Sequence, residues 1–336
     1  MPCTSIAMKA NNGDLFWGRT DDFTFSPFKK SVKTQITAFP KNTEMPSCYH
    51  KWMSKYAFVG INVNNSLFYN DGINSEGLVG DAQYLEECSW DTEENLKKRG
   101  LTPIVGAEFV SYILSNFKDI TEIKEAIPKL ALLKTEYQPW EDTETGIPSP
   151  IPMHFTFFDP SGKGIVLEPV NNGAFKIYDS IGVMTNSPEY SWHLNNLRNY
   201  VQMRPHNVGE NKLNDQLVIK QIESGSGLLG LPGDYTPPSR FIRATFLSNY
   251  IDSFKREDGI MQLYDVFKTV MIPKGLEKLS ANSTKSDYTG YWIGYDVTKH
   301  TLYIQPECCN TFTQFTLSAD LKEKTIKQIS REISLA

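Results

Sequence analysis

Three residues near the start of the chain, Cys3, Arg19 and Asp22, have the side chains of a cysteine nucleophile site. If Met1 and Pro2 are removed, Cys3 carries both a thiol and a free α-amine, whose reference pKa is about 7.7–8.0. That amine can accept the proton of its own thiol, so no catalytic histidine is needed. Asp22 would orient the ammonium, and the positive charge of Arg19 would favour the thiolate. On these residues alone, an inert thiol at a disordered terminus is the competing interpretation.

The segment that follows Cys3 is predicted to form a β-hairpin that brings these side chains together. Its two strands lie on either side of Asn11-Asn12-Gly13-Asp14, a sequence typical of a tight turn. If the middle of this sequence forms a two-residue turn, Cys3 lies opposite Asp22. Arg19 then faces the other side of the sheet, and a bulge or bend near Gly18 would be needed to bring it to the site.

The remaining patterns divide the chain into blocks of strands and blocks of helices. Strands are expected at 154–159, 164–170, 174–178, 288–296, 301–306 and 311–317, and a short strand is expected to end at 184–186. Helices are expected at 104–117, 121–132, 187–203, 239–254 and 259–271. Residues 138–153 and 225–238 are rich in Pro or Gly and predict loops. Antiparallel strands separated by blocks of helices predict an α+β fold with helices on the sheet faces.

Composition and charge exclude several classes of protein. The chain has 336 residues, of which 40% are hydrophobic, enough to bury a large core. Its formal charge of -5, from 34 Lys plus Arg against 39 Asp plus Glu, does not provide the clustered basic charge that nucleic-acid binding needs. No apolar run has the length of a membrane span, and no secretory signal is visible at the N-terminus. Five cysteines without a C-x-x-C pair predict reduced thiols, so we expect a cytoplasmic protein with neither nucleic acid nor membrane as partner.

Two patterns that resemble cofactor or metal sites do not meet the requirements of those sites. Residues 225–230 match the G-x-G-x-x-G dinucleotide pattern, but the prolines that follow cannot propagate the helix which that pattern must open. The five histidines do not have the spacing of a zinc site; they are His50, His154, His193, His206 and His300. We therefore expect a glycine-rich loop at 225–230, histidines at the surface or core edge, and neither a cofactor nor a metal.

Five segments of the chain together resemble a known family. In chain order they are Cys3-Thr4-Ser5, Gly18-Arg19-Thr20-Asp21-Asp22-Phe23, Asp71-Gly72-Ile73-Asn74-Ser75-Glu76-Gly77-Leu78, Val183-Met184-Thr185-Asn186-Ser187-Pro188, and Gly230-Leu231-Pro232-Gly233-Asp234 running into Pro238-Ser239-Arg240-Phe241. Their order and separations are similar to those of the choloylglycine hydrolase family of N-terminal-nucleophile hydrolases, which includes penicillin V acylases and bile salt hydrolases. The resemblance implies a hydrolase of linear amide bonds with a four-layer αββα sandwich, in which helices cover two antiparallel sheets. It also implies a single domain over residues 1–336, with residues 1–2 removed on maturation, and a homotetramer.

The resemblance implies that Cys3 attacks the carbonyl of a small N-acyl amide substrate. Arg19 and Asp22 would lie against its thiol and its amine. A solvated charge at the end of a strand is the structural alternative for Arg19. Asp22 is preferred over its neighbour Asp21 because the R-x-x-D spacing and the expected hairpin pairing agree.

The resemblance places three further residues around the same carbonyl. The side-chain amide of Asn186 and the backbone N–H of Tyr84 would stabilise the oxyanion, and Arg240 would complete the polar network. As structural alternatives, Asn186 would cap the helix that follows it, and Arg240 would form an ion pair that serves stability only.

The residue type at position 84 also indicates which substrate to expect. The resemblance places tyrosine here in penicillin V acylases and asparagine in typical bile salt hydrolases, and a tyrosine ring can stack on an aromatic acyl group such as phenoxyacetyl. We therefore expect an activity similar to that of penicillin V acylases, which release 6-aminopenicillanic acid. Conjugated bile salts and N-acyl homoserine lactones are the alternative substrates. Asp81 and Gln83 are more polar than the family leads us to expect, which leaves the shape of the pocket open.

Pro2 provides an alternative from another class of protein. If Pro2 stays in place, the nitrogen of Cys3 is an amide and the expected base is absent. The chain would then be a non-catalytic, ligand-binding relative, or an enzyme of the tautomerase type that uses an exposed Pro2 as its base.

Overall fold

The structure of the protein, a computed structural model, describes residues 2–30, 32–137 and 150–335. Met1 and most of the loop expected at 138–153 lie outside these residues. The strands in chain order are β1 (Cys3–Lys9), β2 (Leu15–Phe23), β3 (Thr34–Phe39), β4 (Glu44–Met45), β5 (Trp52–Met53), β6 (Phe58–Val63), β7 (Tyr69–Asn74), β8 (Val79–Tyr84), β9 (Thr102–Ile104), β10 (Leu130–Leu132), β11 (Met153–Phe158), β12 (Gly164–Asn171), β13 (Ala174–Asp179), β14 (Val183–Met184), β15 (Glu210–Asn214), β16 (Leu217–Lys220), β17 (Glu277–Lys278), β18 (Ser286–Asp296), β19 (Thr301–Pro306), β20 (Thr313–Thr316) and β21 (Thr325–Gln328). The α-helices are α1 (Glu93–Lys98), α2 (Phe109–Asn116), α3 (Ile120–Ala126), α4 (Tyr190–Asn196), α5 (Pro237–Tyr250) and α6 (Gly259–Phe267). Short 3₁₀ helices lie at Gly106–Glu108, Ile127–Lys129, Leu197–Tyr200, Ser226–Leu228 and Arg256–Asp258.

Two large sheets contain most of these strands. The first has the order β14-β1-β2-β18-β19-β20, with β17 paired to β18, and the second has the order β21-β3-β6-β7-β8-β11-β12-β13-β10-β9. Neighbours in both sheets run antiparallel, apart from the parallel pair of β9 and β10. In the described part of the chain, none of the helices has the length and apolar character needed to cross a membrane.

Apolar side chains fill three layers, one between the sheets and one under each group of helices. Phe16 and Trp17 of β2 point to opposite faces, because side chains alternate along a strand. Phe16 packs in the same cluster as Leu263 of α6, whereas Trp17 belongs to the cluster between the sheets. On the far side, Phe109 of α2 packs on Phe155 of β11 with ring centroids 4.3 Å apart. The result is a four-layer αββα sandwich, which confirms the expected fold.

The first hairpin has a three-residue loop rather than the expected two-residue turn. The N–H of Ala10 donates to the carbonyl of Asp14 at 3.0 Å, and the N–H of Gly13 donates to the carbonyl of Ala10 at 2.9 Å. Gly13 has φ of +91°, which glycine adopts without a steric penalty. A turn followed by a left-handed residue is the usual form of a three-residue hairpin loop.

This one-residue difference changes which side chains face Cys3. The register places Cys3 opposite Asp21, so the expectation that it lies opposite Asp22 is wrong. Opposed residues share a face of the sheet, and Arg19 lies on that face as well because it is two residues from Asp21. The bulge that we expected near Gly18 is therefore not needed to bring Arg19 to Cys3.

Most predicted helices are present but shorter than expected. The helix predicted at 104–117 occupies only the range of α2. The helix predicted at 121–132 ends at Ala126, because Pro128 lacks the N–H that would continue the α-helical hydrogen bonds. A 3₁₀ helix follows, and residues 130–132 form β10 instead. The helices expected at 239–254 and 259–271 correspond to α5 and α6. The segment that begins at Gly225 is a loop with one short 3₁₀ helix, as expected.

Candidate active site

Cys3 is the first residue of β1, which lies between β14 and β2 inside the first sheet. Its side chain is 2% exposed and contacts two charged groups. Nη2 of Arg19 lies 3.0 Å from the sulfur, and Oδ1 of Asp21 lies 3.6 Å from it. Burial raises the pKa of the thiol, while Arg19 acts in the opposite direction. A guanidinium in contact with the sulfur is the partner that a buried thiolate requires.

Arg19 links the two sheets. Its Nη1 donates to the carbonyls of Asn70 and Ala82 in the second sheet, at 2.8 and 2.9 Å. Its Nη2 lies 3.0 Å from Asp21, and its Nε lies 3.6 Å from Asp81. Burial would lower the pKa of the guanidinium, but the charges around it, Asp21 first and then Cys3 and Asp81, outweigh burial and the pKa is raised. Arg19 therefore remains charged although it is buried.

The last residues of strand β8 lie beyond its pairing with β7, and their free edge faces the site. That pairing ends one residue before Ala82. On the same edge, the carbonyl of Ala82 accepts from Arg19 and the carbonyl of Tyr84 accepts from Nδ2 of Asn186 at 2.9 Å. The N–H and C=O of one strand residue point to the same edge, so the N–H of Tyr84 also faces this region.

Asn186 and Arg240 contact the backbone of Cys3. Oδ1 of Asn186 accepts from the N–H of Cys3 at 2.6 Å and from Nη2 of Arg240 at 2.8 Å. Nη1 of Arg240 donates to the carbonyl of Cys3 and to Oγ1 of Thr4. Burial lowers the pKa of Arg240, and the carboxylate of Asp22 opposes this effect. The structure thus brings both predicted residues to the predicted nucleophile.

The structural alternative for Asn186 is wrong. Helix α4 begins after Glu189, whose side chain makes no capping hydrogen bond, and the first N–H of the helix, that of Tyr190, donates to Oε1 of Glu168. Asn186 therefore does not cap this helix, and its side chain is directed to Cys3, Tyr84 and Arg240 instead.

Asp22 lies on the opposite face of β2 from the thiol. Its carboxylate accepts from Oγ1 of Thr289 at 2.5 Å and from Oγ1 of Thr20 at 3.4 Å, and its backbone N–H donates to the sulfur of Cys3. Burial raises the pKa of Asp22 to about 7, against the opposite effect of Arg240. Asp21, which sequence reasoning set aside, is the carboxylate that contacts the thiol.

A polar network that the sequence did not reveal extends from Asp21 into the space between the sheets. The hydroxyl of Tyr291 donates to Asp21 at 2.7 Å and lies 3.1 Å from Asp71, and Tyr295 donates to Asp71 at 2.5 Å. The side-chain amide of Asn70 also donates to Asp21. Burial raises the pKa of Asp71 to about 7, although Arg19 acts in the opposite direction. One sequence feature is consistent with this network, namely that residues 291 and 295 lie on the same face of the predicted strand.

The unexpected polarity of Asp81 and Gln83 has a structural explanation. Nε2 of Gln83 donates to Asp81 at 2.8 Å and to Oγ of Ser5 at 2.9 Å. Asp81 in turn lies beside Arg19. These side chains therefore belong to the inter-sheet network that surrounds Arg19. Burial raises the pKa of Asp81 to about 6, against the attraction of Arg19.

A small cavity of about 10 Å³ lies beside Cys3. Besides Cys3 and its polar neighbours, apolar side chains line it, namely Phe23, Phe68, Tyr84 and Met153. This volume is about that of one water molecule and far below the roughly 300–1,000 Å³ of small-molecule sites, so the lining side chains must move apart before an acyl group binds. An acyl group bound here would place its carbonyl next to the sulfur.

Comparison with known proteins identifies the family. The description "Linear amide C-N hydrolases, choloylglycine hydrolase family" matches residues 3–324, a range that begins at Cys3. The chain therefore belongs to the choloylglycine hydrolase family and is a linear amide C–N hydrolase, as the five sequence segments implied.

Individual relatives refine this result. A bile salt hydrolase/transferase of Clostridium perfringens is 31% identical over 298 residues, which cover 86% of this chain and 84% of that protein. The solved structure of a variant of the conjugated bile acid hydrolase from the same organism has a TM-score of 0.84 at 27% identity and covers 99% of both chains. A penicillin V acylase from Agrobacterium tumefaciens has a TM-score of 0.70 at 20% identity and covers 94% of this chain and 86% of its own, which shows a shared fold alone. The expected greater similarity to penicillin V acylases is not supported, because these bile acid enzymes are more similar to this chain.

Replacing Asp71 by Asn is expected to change the pH dependence of stability. Folding raises the pKa of this carboxyl from 3.8 to about 7, so the folded protein binds the proton more tightly than the unfolded chain does. The wild-type protein therefore loses this contribution to its stability as the pH rises from about 4 to about 7. Because Asn does not titrate, the free energy of unfolding of the wild type minus that of the variant is expected to fall by up to about 1.4 kcal/mol per pH unit. Urea unfolding at about pH 5, 6 and 7 measures this difference.

Asp234→Asn is the control for this experiment. Burial would raise the pKa of Asp234, but hydrogen bonds from Thr236 and Ser239 lower it to about 2. The carboxyl is then ionised in both states at pH 5 and above, so the corresponding difference should stay constant over the same range. A constant difference for Asp71→Asn as well would contradict the expectation.

Proposed function

We propose that the protein hydrolyses the amide bond of conjugated bile salts with Cys3 as nucleophile. The observation that carries this proposal is the similarity of 27–31% over 86–94% of the chain to enzymes named for bile salts or conjugated bile acids. The contacts of Arg19, Asn186 and Arg240 with Cys3 support the choice of nucleophile.

In the proposed first step, the thiol proton of a mature Cys3 passes to its own α-amine. The sulfur then attacks the substrate carbonyl carbon, a C–S bond forms, and the carbonyl electron pair moves to the oxygen. A side-chain amide nitrogen carries two protons, one of which the carbonyl of Tyr84 accepts from Asn186. The side-chain amide of Asn186 and the backbone N–H of Tyr84 are the proposed donors to the oxyanion.

In the proposed second step, the tetrahedral intermediate collapses and the C–N bond breaks. The leaving nitrogen takes the proton from the α-ammonium of Cys3 and departs as the free amine of glycine or taurine. Water then attacks the thioester, its proton passes to the α-amine, and the C–S bond breaks. The bile acid leaves, and the thiol and the amine are regenerated.

This mechanism requires removal of Met1 and Pro2. While Pro2 is present, the nitrogen of Cys3 is a peptide amide, which donates to Asn186 and cannot accept a proton. We propose that residues 3–336 form the mature enzyme and act as a single unit.

Intact mass and turnover test the maturation and the nucleophile together. The protein expressed from the full reading frame is expected to lack both Met1 and Pro2 and to release glycine from a glycine-conjugated bile salt. Cys3→Ala is expected to abolish turnover. Asn186→Ala is expected to lower kcat about 10²–10³-fold, because it removes one oxyanion donor. Turnover by a protein that retains Pro2, or by Cys3→Ala, would refute the mechanism and leave the proline-based alternative. A wild type that retains Pro2 and shows no turnover would instead leave the ligand-binding alternative.

Penicillin V is the second candidate substrate, and the position of Tyr84 favours it. Tyr84 lines the cavity, where its ring can stack on a phenoxy group.

Tyr84→Asn is expected to shift the preference between the two substrates. Loss of an aromatic contact worth about 0.5–1.5 kcal/mol should lower kcat/KM for penicillin V about two- to tenfold relative to that for the bile salt. Tyr84→Phe retains the ring and should leave the ratio unchanged. Parallel assays with penicillin V, a glycine-conjugated bile salt and an N-acyl homoserine lactone measure the ratios. An unchanged ratio in Tyr84→Asn would show that the ring does not select the acyl group.

We also propose that the protein assembles into a homotetramer through the hairpin of β15 and β16. Every residue of both strands is exposed. Apolar side chains beside and within the hairpin are exposed as well, among them Val208, Ile219, Ile222 and Leu229. Such a concentration of exposed apolar side chains is typical of an interaction surface. The number of subunits rests on the family resemblance.

Light scattering coupled to size-exclusion chromatography tests the assembly. The wild type is expected to elute as a tetramer, and Ile222→Glu with Leu229→Glu should shift it to smaller species, because two buried charges would destabilise the contact. Met261→Glu introduces a charge at an exposed apolar position on α6 and serves as the control. A monomeric wild type, or an assembly unaffected by the double substitution, would overturn this proposal.

A further inference from the structure

The segment that carries Asn186 leaves the first sheet just before this residue. Strand β14 pairs with β1 only through Val183 and Met184. Thr185 and Asn186 lie beyond the ladder and are buried. A buried carbonyl without a hydrogen bond costs about 1–3 kcal/mol, so the carbonyls of these two residues need donors from elsewhere.

Two buried histidines provide these donors. Nε2 of His154 lies 2.7 Å from the carbonyl of Thr185, and Nε2 of His193 lies 2.8 Å from the carbonyl of Asn186. A carbonyl oxygen can only accept, so each Nε2 carries a proton. The histidines thus hold two consecutive peptide groups, the second of which belongs to the proposed oxyanion donor.

Each imidazole is itself fixed by its surroundings. The ring of His193 is 1% exposed and stacks on Phe241, with centroids 4.7 Å apart and planes 21° apart. Burial lowers the pKa of His193 to about 4, so the ring is neutral at physiological pH. Nδ1 of His154 lies 3.2 Å from Oε1 of Glu168, which also accepts from the N–H of Tyr190 at the start of α4.

We propose that His193, together with His154, positions Asn186 for catalysis without contacting the substrate. This inference rests on the proposed function. The side chain of Asn186 must satisfy three partners at once, namely Cys3, Tyr84 and Arg240, at 2.6–2.9 Å. Its peptide group is the point from which the side chain extends, and His193 fixes that point. An oxyanion donor displaced by about 1 Å can cost 10²-fold in rate, so release of this carbonyl should be felt in kcat.

A purely structural role for His193 predicts a different outcome. In that case, loss of its hydrogen bond lowers the free energy of unfolding but leaves the active site of the folded molecules intact. A positioning role lowers kcat in the folded molecules, while KM changes little because the substrate does not touch the imidazole.

His193→Phe tests this inference, with Tyr190→Phe as the matched control on the same helix. His193→Phe retains a ring for Phe241 and removes the N–H. Tyr190→Phe removes a hydroxyl that accepts from the N–H of Ile181 at 2.9 Å. For His193→Phe we expect kcat for a glycine-conjugated bile salt to fall about 10–100-fold with KM within about twofold of the wild type. Tyr190→Phe should retain the wild-type kcat. Urea unfolding of both variants shows whether they lose similar stability.

His193→Gln and His193→Met complete the test. Glutamine carries an amide N–H at similar reach and is expected to recover part of the lost kcat, whereas the flexible methionine has no such donor and should behave like phenylalanine. If His193→Phe does not fold, the comparison of Gln with Met decides the question. A wild-type kcat in the folded variants without a donor, or equal losses in His193→Phe and Tyr190→Phe, would overturn the inference. An inactive wild type would instead refute the proposed function itself.

Discussion

The buried guanidinium of Arg19 is the interaction on which the rest of the site depends. A cation that loses its water costs several kcal/mol unless anions and hydrogen-bond acceptors replace that water. Both sheets supply these groups, Asp21 from the first and the carbonyls of Asn70 and Ala82 from the second. Nε donates to the carbonyl of Thr20, and Nη2 also contacts the sulfur of Cys3. The nucleophile is therefore held where one side chain joins the two sheets.

Carboxylates outnumber the cation in this inter-sheet region. Asp21 and Asp81 contact Arg19 directly, and Asp71 is linked to Asp21 through Tyr291. One guanidinium cannot compensate three ionised carboxyls in a buried place, which is why burial raises the pKa values of Asp71 and Asp81. The site thus combines a fixed positive charge with groups that hold protons near neutral pH.

The sequence was sufficient to predict the four-layer architecture and the proximity of Arg19, Asn186 and Arg240 to Cys3, because the spacing of these residues belongs to a family pattern. It was insufficient where the contacts are distant or generic. No local pattern joins Asp71 to Tyr291, which lies 220 residues away. The roles of His154 and His193 could not be predicted from a motif. Each histidine donates to a backbone carbonyl, and every residue type has a backbone carbonyl. The residue opposite Cys3 was predicted one position away because the turn sequence fits both two-residue and three-residue loops.

The loop of the first hairpin, at Asn11–Gly13, is exposed, but its length is constrained. Exposed loops usually tolerate insertions and deletions, because nothing packs on them. Here the number of loop residues decides which side chains of β2 share a face with Cys3. Adding or deleting one residue would exchange the two faces of the strand and move Arg19 away from the sulfur. Substitutions should therefore be tolerated in this loop during evolution far better than changes in its length.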